Sequence, residues 1–385
     1  MSDSTTHRQT RQVTESAQPT KQSSGCYPSE AAGTDIASRR VPWVIGKVTS
    51  SVGEVPTVDT RLRFADILGS WSARWGIRRM KYRVEPRLYA VGNPTEESPV
   101  FVTANYKMSF DRLRSHLGGI DGWILVLDTK GINVWCAAGK GTFGTDEIVR
   151  RAGDVGLKKI VMHRRLIVPQ LGAIGVSAHA VRERCGFHIT YGPIRATDIK
   201  AFLQLGMKAT PVMRRVTFPL SERLVLIPVD IVGNLKYGIL ASAAFLLLSG
   251  LGPGIYSFDR VASYGIINAI LPVLAALTGA VLPAAFLPWL PGRAFSVKGA
   301  CAGLVPVMGV ALLAWHQPDL FRNWVSALSW LFLIPAVTSF IGMNFTGSST
   351  YTSLSGVKRE MRMAVPAQIS CAVVGFGLWI TGLYL

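Results

Sequence analysis

The sequence predicts an α/β domain followed by an all-α membrane domain, and three observations lead to this prediction. Charged residues make up 17% of the 385 residues, against about 25% in a typical soluble domain. The remaining charge is uneven, because residues 1–236 hold 34 basic and 20 acidic groups and residues 237–385 hold 7 and 3. Strand-like and helix-like segments also alternate between residues 98 and 230. A basic part that folds in water therefore precedes an apolar part of membrane character.

The first 95 residues are predicted to add a tail and an extension. Residues 1–40 are rich in Ser, Thr and Gln and have almost no apolar clusters, so we expect a disordered tail. Residues 41–95 are interpreted as a basic N-terminal extension. Its cations between Ser70 and Tyr89 are Arg74, Arg78, Arg79, Lys81, Arg83 and Arg87. Such a run is typical either of a positive surface near an anionic lipid or partner, or of an ordinary solvated face.

Residues 96–230 are predicted to form the α/β domain. The strand-like segments are 98–103, 122–128, 159–163, 165–169 and 187–191, and the helix-like segments are 109–117, 146–153, 176–185 and 196–205. This alternation with short connections predicts a mostly parallel sheet covered by helices. Ligands of such sheets bind beyond the carboxyl ends of the strands. The loop after 122–128 is therefore the first place to look for a site.

Residues 231–385 are predicted to form the transmembrane domain, because they contain five apolar stretches close to the ~20 residues that cross a bilayer. The predicted spans are 235–254, 264–289, 298–315, 324–345 and 363–385. Lys and Arg are concentrated before the first span and in the second and fourth loops, which predicts a cytoplasmic N-terminal domain and a C-terminus outside. No predicted span has an ionisable group at its centre, which disfavours an ion-coupled transporter. We expect a multi-pass protein of the cytoplasmic (inner) membrane, without a signal peptide.

The cysteines indicate neither a disulfide framework nor a zinc site. There are five, at 26, 136, 185, 301 and 371, and none forms a CxxC pair. An odd number of widely spaced cysteines is typical of a protein in a reducing compartment.

The loop after residues 122–128 concentrates unusual residues around Cys136. It is no Walker A loop, because Val134 stands where the first Gly should be and Gly141 follows Lys140. A thiol where a loop becomes a helix meets the positive end of the helix dipole, and Lys140 lies four residues on, so both features favour a thiolate. The small residues that follow Cys136 would let something broad and flat approach. A lone Cys is also often a small buried hydrophobe, and that alternative stays open.

The run Asn133-Val-Trp-Cys-Ala-Ala-Gly-Lys140 resembles the signature of the corrinoid protein of the bacterial and archaeal mercury-methylation pair. That family joins a Rossmann-like corrinoid-binding domain, related to the large subunit of the corrinoid iron–sulfur protein, to transmembrane helices. The resemblance extends through residues 102–107 and 169–173 and resumes at 344–356. It covers roughly residues 95–385.

The resemblance implies a set of site residues. Cys136 is carried over as the catalytic residue and as the lower axial ligand to the cobalt of a cobalamin-type corrinoid. The other implied cofactor-binding residues are Asn133, Val134, Trp135, Ala137, Ala138, Gly139, Lys140, Gln170 and Gly172. Axial thiolates push electron density onto a metal, so such a ligand should make a cobalt-bound methyl group more carbanion-like. That character suits Hg(II) as acceptor and methylmercury as product.

The resemblance also implies partners. The chain lacks iron–sulfur ligand spacing, so an external reductant is needed, and the family uses a ferredoxin-like protein with two [4Fe–4S] clusters. Its methyl source is a methyl-tetrahydrofolate-type donor, and no nucleic-acid partner is expected. A corrinoid methyl carrier of one-carbon metabolism with another acceptor is an alternative, and a transport or scaffold protein is a third. The role of residues 344–356 stays open among contacts to the N-terminal domain, the reductant and mercury.

Overall fold

The computed structural model of the protein describes residues 41–345 and 354–385. The tail predicted at residues 1–40 and most of the loop predicted at 344–356 lie outside this part of the chain. Within residues 41–345 the N-terminal half forms one seven-stranded sheet flanked by helices, and the C-terminal half is helical.

The sheet has a parallel half and an irregular half. Its strands are β1 (Val44–Ser50), β2 (Gly53–Val58), β3 (Leu88–Val91), β4 (Val100–Ala104), β5 (Gly122–Leu127), β6 (Arg165–Val168) and β7 (His188–Tyr191). They lie in the order β1-β2-β3-β5-β4-β6-β7. The four strands β5, β4, β6 and β7 are mutually parallel, whereas β3 is antiparallel to β5 and β1 to β2. Every residue of β4 and β5 is buried, as expected when helices cover both faces of a parallel sheet.

Short helices connect and cover the strands. They are α1 (Phe64–Arg74), α2 (Lys107–Arg114), α3 (Val134–Gly139), α4 (Thr145–Asp154), α5 (Leu157–Ile160), α6 (Ala178–Cys185) and α7 (Ile199–Gln204). A 3₁₀ turn, Gln170–Gly175, follows β6.

The structure differs from the sequence analysis at two places in this half. Residues 41–95 are not a separate extension, because they supply β1, β2 and β3 to the sheet. The strands β4 to β7 of the predicted domain are parallel, as expected, and the added strands make the whole sheet mixed, because β1 is antiparallel to β2 and β3 to β5. Residues 159–163 are not a strand. Gly156 adopts a left-handed conformation (φ 60°), and the helical turn α5 that follows buries Leu157 and Ile160, three residues apart on one face.

The C-terminal half confirms the prediction of five long apolar helices. The helices are α8 (Leu220–Leu224), α9 (Ile227–Leu248), α10 (Phe258–Arg260), α11 (Ile266–Ala285), α12 (Phe295–His316), α13 (Trp324–Asn344) and α14 (Leu354–Tyr384). A π-helical turn joins α10 to α11, and a two-stranded ribbon, β8 (Leu251–Gly252) and β9 (Ile255–Tyr256), follows α9. Five stretches among the described residues are long and apolar enough to cross a membrane: Leu220–Leu248, Phe258–Ala285, Phe295–His316, Trp324–Asn344 and Gly356–Tyr384.

The first and last of these helices begin earlier than predicted. The predicted spans start at residues 235 and 363, next to charged residues. The helices that contain them start earlier, α9 at Ile227 and α14 at Leu354. In the described residues, the Asp, Glu, Lys and Arg side chains of α9, α12 and α14 lie in the first three turns, and α11 and α13 have none. The helix centres are therefore free of these groups, as the sequence analysis expects.

Polar contacts fix one end and the middle of the helical bundle. At one end, the backbone N–H of Ser296 donates to Glu360 (2.6 Å), which joins the starts of α12 and α14. Arg223, in α8, donates at the same end to the carbonyl oxygen of Ala285, the last residue of α11 (3.0 Å). In the interior, Asn268 Oδ1 accepts from the indole nitrogens of Trp330 (3.2 Å) and Trp379 (3.1 Å). Asn268 thereby ties α11 to α13 and α14.

Candidate functional site

The chain order around β4 creates a crevice at the carboxyl edge of the sheet. From β4 the chain passes to β5 on one side and then crosses to β6 on the other. Helical connections of this kind leave an opening between the loops that follow the two strands, and ligands of open α/β sheets bind there. The site residues predicted after β5 and β6 therefore lie at the part of the fold best placed for a ligand.

A cavity of about 370 Å³ occupies this crevice. Its wall includes the ends of β4 and β6, the helix α2, the start of α3 and the segment after β7. The residues that line it are Phe101, Val102, Thr103, Ser109, Arg112, Leu113, Asn133, Val134, Trp135, Ile167, Pro169, Leu171, Gly192, Pro193, Ile194, Ala196 and Ile199. The volume is at the lower end of the range for small-molecule sites, about 300–1,000 Å³. Of the predicted site residues, Asn133, Val134 and Trp135 line the cavity and Cys136 does not.

Asn105 holds the loop that leads from β5 to the site. Its side-chain oxygen accepts from the backbone N–H groups of Thr129 (3.1 Å) and Gly131 (2.9 Å) and from the Thr129 hydroxyl (2.8 Å). Its amide nitrogen donates to Asp128 (3.1 Å). Lys130 (φ 58°) and Gly131 (φ 75°) are both left-handed, so the chain turns sharply here. The loop before α3 is therefore fixed by one buried side chain.

Glu147 holds the same loop from its other side. This residue of α4 accepts from the backbone N–H of Asp128 (2.8 Å) and pairs with Arg151 (3.0 Å). Burial alone would raise the pKa of Asp128, but hydrogen bonds from Lys130 and the nearby cations outweigh it and lower that pKa. Neither Asn105 nor Glu147 was among the predicted site residues. A polar Asn directly after the buried strand β4 was the signal available for the first of them.

Asn133 begins α3 and sets the position of Cys136. The Asn133 side-chain oxygen accepts from the backbone N–H of Cys136 at 2.9 Å, which is the usual N-cap arrangement. Asn133 thus holds the start of the helix through its side chain. Cys136 is half-buried and is free of any disulfide. Its thiol lies in the first turn of a helix that starts directly at the carboxyl edge of the sheet.

The remaining residues of α3 divide between its two faces. Ala137 and Ala138 are buried in the core of the sheet domain. This differs from the expectation that the small residues after Cys136 form an open surface. Gly139 and Lys140 are exposed, and a Cβ added to Gly139 would meet no atom within 4 Å. The open side of α3 therefore presents Cys136, bare backbone at Gly139 and the Lys140 side chain.

Gln170 and Gly172 lie in the 3₁₀ turn after β6, which packs against α3. A Cβ added at Gly172 would approach Phe143 to 2.5 Å, and one at Gly175 would lie 3.1 Å from the Cα of Ala138. Only glycine permits this close packing. The Gln170 side-chain oxygen is buried and accepts no hydrogen bond within the described part of the chain. An acceptor left in this state is unfavourable unless a ligand or water satisfies it.

The described residues contain neither a cluster of metal ligands nor a disulfide. Groups of three or more His, Cys, Asp and Glu side chains that could hold a metal ion are absent from residues 41–345 and 354–385. His163 Nε2 donates to the carbonyl oxygen of Ser98 (2.9 Å), and His179 pairs with Glu183 on the surface (3.3 Å). Within this part of the chain the four cysteines are free.

Comparison with known proteins finds similarity in this half of the chain. The family described as CO dehydrogenase/acetyl-CoA synthase delta subunit matches residues 77–203. The acetyl-CoA decarbonylase/synthase complex subunit gamma of Archaeoglobus fulgidus is 32% identical over 128 residues, 33% of this chain and 27% of that protein. The corrinoid/iron-sulfur protein large subunit of Moorella thermoacetica is 30% identical over 127 residues, 32% of this chain and 28% of that protein.

The match covers only part of this chain and only part of each relative. It spans about a quarter of the length of these curated relatives, and the family match begins after β2 and ends within α7. It thus contains β3 to β7, the loop held by Asn105 and the whole of α3. The part of this chain that builds the crevice is similar to the family described as CO dehydrogenase/acetyl-CoA synthase delta subunit.

Proposed function

We propose that the protein is a membrane-anchored, corrinoid-dependent methyltransferase that transfers a methyl group to Hg(II) and forms methylmercury. One observation carries the proposal. The Cys136 thiol is held in the first turn of α3, at the carboxyl edge of a sheet whose sequence is similar to a corrinoid protein. The side of α3 that bears this thiol is open at Gly139.

The residues around α3 fit a corrinoid. The open backbone at Gly139 leaves room for a flat macrocycle to approach. The rim of a corrin ring carries amide groups, and the buried, unpartnered Gln170 oxygen is an acceptor that such an N–H donor would satisfy. The cavity of about 370 Å³ beside α3 is too small for the whole cofactor but has the size and apolar wall that suit an appended aromatic base.

Each residue would then have a distinct task. When bound, the corrinoid supplies a cobalt ion that can carry a methyl group. Cys136 would ligate the cobalt, and a thiolate ligand would donate electron density, which suits an acceptor as electron-poor as Hg(II). Asn133 fixes the turn that carries the sulfur. Val134 and Trp135 close the cavity wall, Ala137 and Ala138 pack into the core beneath the sulfur, and Gly172 leaves room for the Phe143 ring.

The proposed reaction needs partners. Transfer of the methyl group as a carbanion would take the bonding electron pair to Hg(II), so a reductant would have to return two electrons before the next methyl group could be accepted. The described residues lack a cluster of metal ligands that could hold such a reductant. We therefore propose a ferredoxin-like protein with two [4Fe–4S] clusters and a methyl-tetrahydrofolate-type donor. A relative is named for both a corrinoid and iron–sulfur, which supports this pairing.

We further propose that the five apolar helices cross the cytoplasmic membrane with the sheet domain inside. The basic residues Arg223, Arg293 and Lys358 belong to the end of the bundle where α8 meets α11 and α12 meets α14, and positive loops face the cytoplasm. A reporter fused after Leu385 should then report an outside location. A cytoplasmic signal would contradict the orientation.

A second candidate is a corrinoid methyl carrier of one-carbon metabolism with another acceptor. The relatives favour it, since they are named as subunits of acetyl-CoA decarbonylase/synthase complexes and of a corrinoid/iron-sulfur protein. Both candidates use the same α3 site, so only the acceptor separates them.

The test uses the full chain in lipid nanodiscs, loaded with a corrinoid and supplied with reductant, methyl donor and Hg(II). We expect corrinoid binding, an absorption spectrum that changes in Cys136→Ala, and methylmercury formation that Cys136→Ala abolishes. Cys185→Ala is the matched control, because Cys185 is a buried free thiol in α6. Absence of cobalt in the loaded protein would overturn the corrinoid site. Corrinoid binding with methyl transfer only to other acceptors would favour the second candidate.

A further inference from the structure

Helix α1 exposes an apolar stripe that the sheet domain does not cover. Phe64, Ile67, Leu68 and Trp71 follow the spacing i, i+3, i+4 and i+7, and Trp75 continues the same line. The exposed fractions are 73% for Phe64 and 62% for Trp71. A run of exposed large side chains on one helix face marks an interaction surface rather than ordinary surface variation.

Buried contacts on the opposite face fix the direction of this stripe. Asp66 accepts from Lys107 (2.8 Å) and Arg114 (2.7 Å) in the domain interior. Gly69 lies against the ring of Tyr82, where a Cβ would approach to 2.7 Å, and Ala73 is fully buried. At about 100° per residue, the apolar stripe covers an arc of roughly 100° centred opposite these residues. The stripe therefore cannot turn inward without breaking the buried ion pairs.

The end of α1 adjoins the first apolar helix of the bundle. A Cβ added at Gly76 would lie 3.9 Å from Cγ1 of Val232, in the second turn of α9. Arg79 is also close enough to attract Asp230, in the first turn of α9. These contacts place α1 beside the bundle end at which the charged residues of α9, α12 and α14 lie.

The surroundings of the stripe are basic. Arg74, Arg78 and Lys81 form no ion pair within 4.0 Å among the described residues, and Arg78 and Lys81 are exposed. Arg293 and Lys358, at the ends of other helices of the bundle, are exposed too. An apolar face that contains Trp and is bordered by cations is complementary to the headgroup region of an anionic bilayer.

We propose that α1 is an interfacial helix whose face from Phe64 to Trp75 inserts into the anionic leaflet of the membrane that α9 crosses. The proposal rests on the membrane location proposed above and not on methyl transfer. The position of α1 also affects the candidate site around Cys136. Gly131, in the loop before α3, lies against the backbone of Met80, and a Cβ added at Gly131 would come within 3.1 Å of the Met80 carbonyl oxygen. Insertion of α1 would thus hold the Cys136 edge of the sheet close to the bilayer.

The test places the photo-crosslinker p-benzoylphenylalanine at single positions of the full chain in nanodiscs and identifies the adducts by mass spectrometry. The test position is Trp71. The positive control is Leu240, 68% exposed in α9, and the negative control is Met162, 68% exposed before β6 at the opposite edge of the sheet. We expect phospholipid adducts at Trp71 and Leu240 and none above background at Met162.

The controls separate the two proposals. Lipid adducts at Leu240 without lipid adducts at Trp71 would overturn the interfacial helix and leave the membrane location intact. The same result is expected if a separate protein covers the apolar face of α1, and it would overturn the proposal equally. No lipid adduct at Leu240 would overturn the membrane location itself. In nanodiscs that contain phosphatidylglycerol, R78Q/K81Q should lower the adduct yield at Trp71 by up to about fivefold per cation. An unchanged yield would overturn the electrostatic part of the proposal.

Discussion

The side-chain oxygen of Asn133 accepts a hydrogen bond from the backbone N–H of Cys136, at 2.9 Å. The three-residue spacing between the two is that of an N-cap and the third residue of a helix. The residue before the thiol-bearing turn thus determines where α3 starts, and with it the direction in which Cys136 leaves the edge of the sheet.

Removal of this cap should loosen α3 and leave the rest of the sheet domain folded. Asn133→Ala removes the acceptor, and the loss of an N-cap costs about 0.5–2 kcal/mol. We expect faster hydrogen exchange at the backbone amides of Cys136 and Ala137 and a weaker cobalt–sulfur signature in the absorption spectrum. Asn133→Asp retains an acceptor and should restore both. Equal effects of the two substitutions would show that capping is not what this residue provides.

Two glycines near Cys136 should respond to alanine in opposite ways. Gly175→Ala places a Cβ against the carbonyl of Phe143 and 3.1 Å from the Cα of Ala138. The overpacking should destabilise the domain by about 1–3 kcal/mol or more. Gly139→Ala meets no atom within 4 Å and should leave the thermal stability unchanged. It should nevertheless weaken corrinoid binding, which can be measured from retained cobalt. Normal cobalt retention in Gly139→Ala would contradict the proposed approach of the macrocycle.

The buried ion pairs of Asp66 should make the sheet domain sensitive to acid. Burial alone would raise the pKa of Asp66, but hydrogen bonds from Lys107 and the backbone of Arg63, with the charges of Lys107 and Arg114, lower that pKa below its usual 3.8. A lowered pKa in the folded state contributes stability that is present above the ordinary pKa and is lost as the pH falls through the folded value. The stability measured by urea titration in nanodiscs should therefore be constant above about pH 5 and decline below about pH 4.

Asp66→Asn should remove most of that dependence and lower the stability at neutral pH by about 3–5 kcal/mol, since Asp111 then faces two buried cations and one buried positive charge is uncompensated. Asp154→Asn is the matched control. Asp154 pairs with Arg150 (3.0 Å) on the surface, with about half of its side chain exposed. An effect of Asp154→Asn as large as that of Asp66→Asn would contradict the role given to burial.

Asn268 should be the polar side chain to which the helical bundle is most sensitive. Asn268→Leu removes the acceptor shared by Trp330 and Trp379 and the donor to Ser249 (3.2 Å). Interhelical hydrogen bonds in membranes contribute about 0.6 kcal/mol each, with a maximum near 1.7. We expect a loss of about 1–3 kcal/mol in the free energy of helix dissociation, measured by steric trapping. Asn234→Leu is the control, because Asn234 bonds within α9 to the carbonyl of Asp230 (2.7 Å).

The parts of the fold that were predicted correctly have strong local patterns. Residues 122–128 were identified as a strand because an unbroken apolar run is buried on both faces in β5. The five apolar helices were found for the same reason, since long apolar segments need no partner to be recognised. By contrast, β1 is an edge strand with no buried residue, and β3 has four residues. Such strands are defined by the neighbour to which they bond.

The cysteine-bearing segment of the candidate site could be singled out from sequence because its residues are contiguous. Asn133 to Lys140 form one helix with its cap, so a single run of sequence contained that part. The hold of Asn105 on Thr129 and Gly131 spans more than 20 residues, and the burial of the Gln170 oxygen depends on packing between separate segments. These features follow from tertiary structure and leave no local pattern. The ligation of cobalt by Cys136 stays a prediction.

The cluster beneath α1 contains two cations, Lys107 and Arg114, and two carboxylates, Asp66 and Asp111, and is electrically neutral. Dissolved ions screen exposed charges over about 10 Å at 0.1 M ionic strength, and buried pairs much less. High salt should therefore weaken the attraction of Arg78 and Lys81 to an anionic leaflet while α1 itself stays folded. Ionic strength would then control how closely the domain approaches the bilayer, independently of its stability.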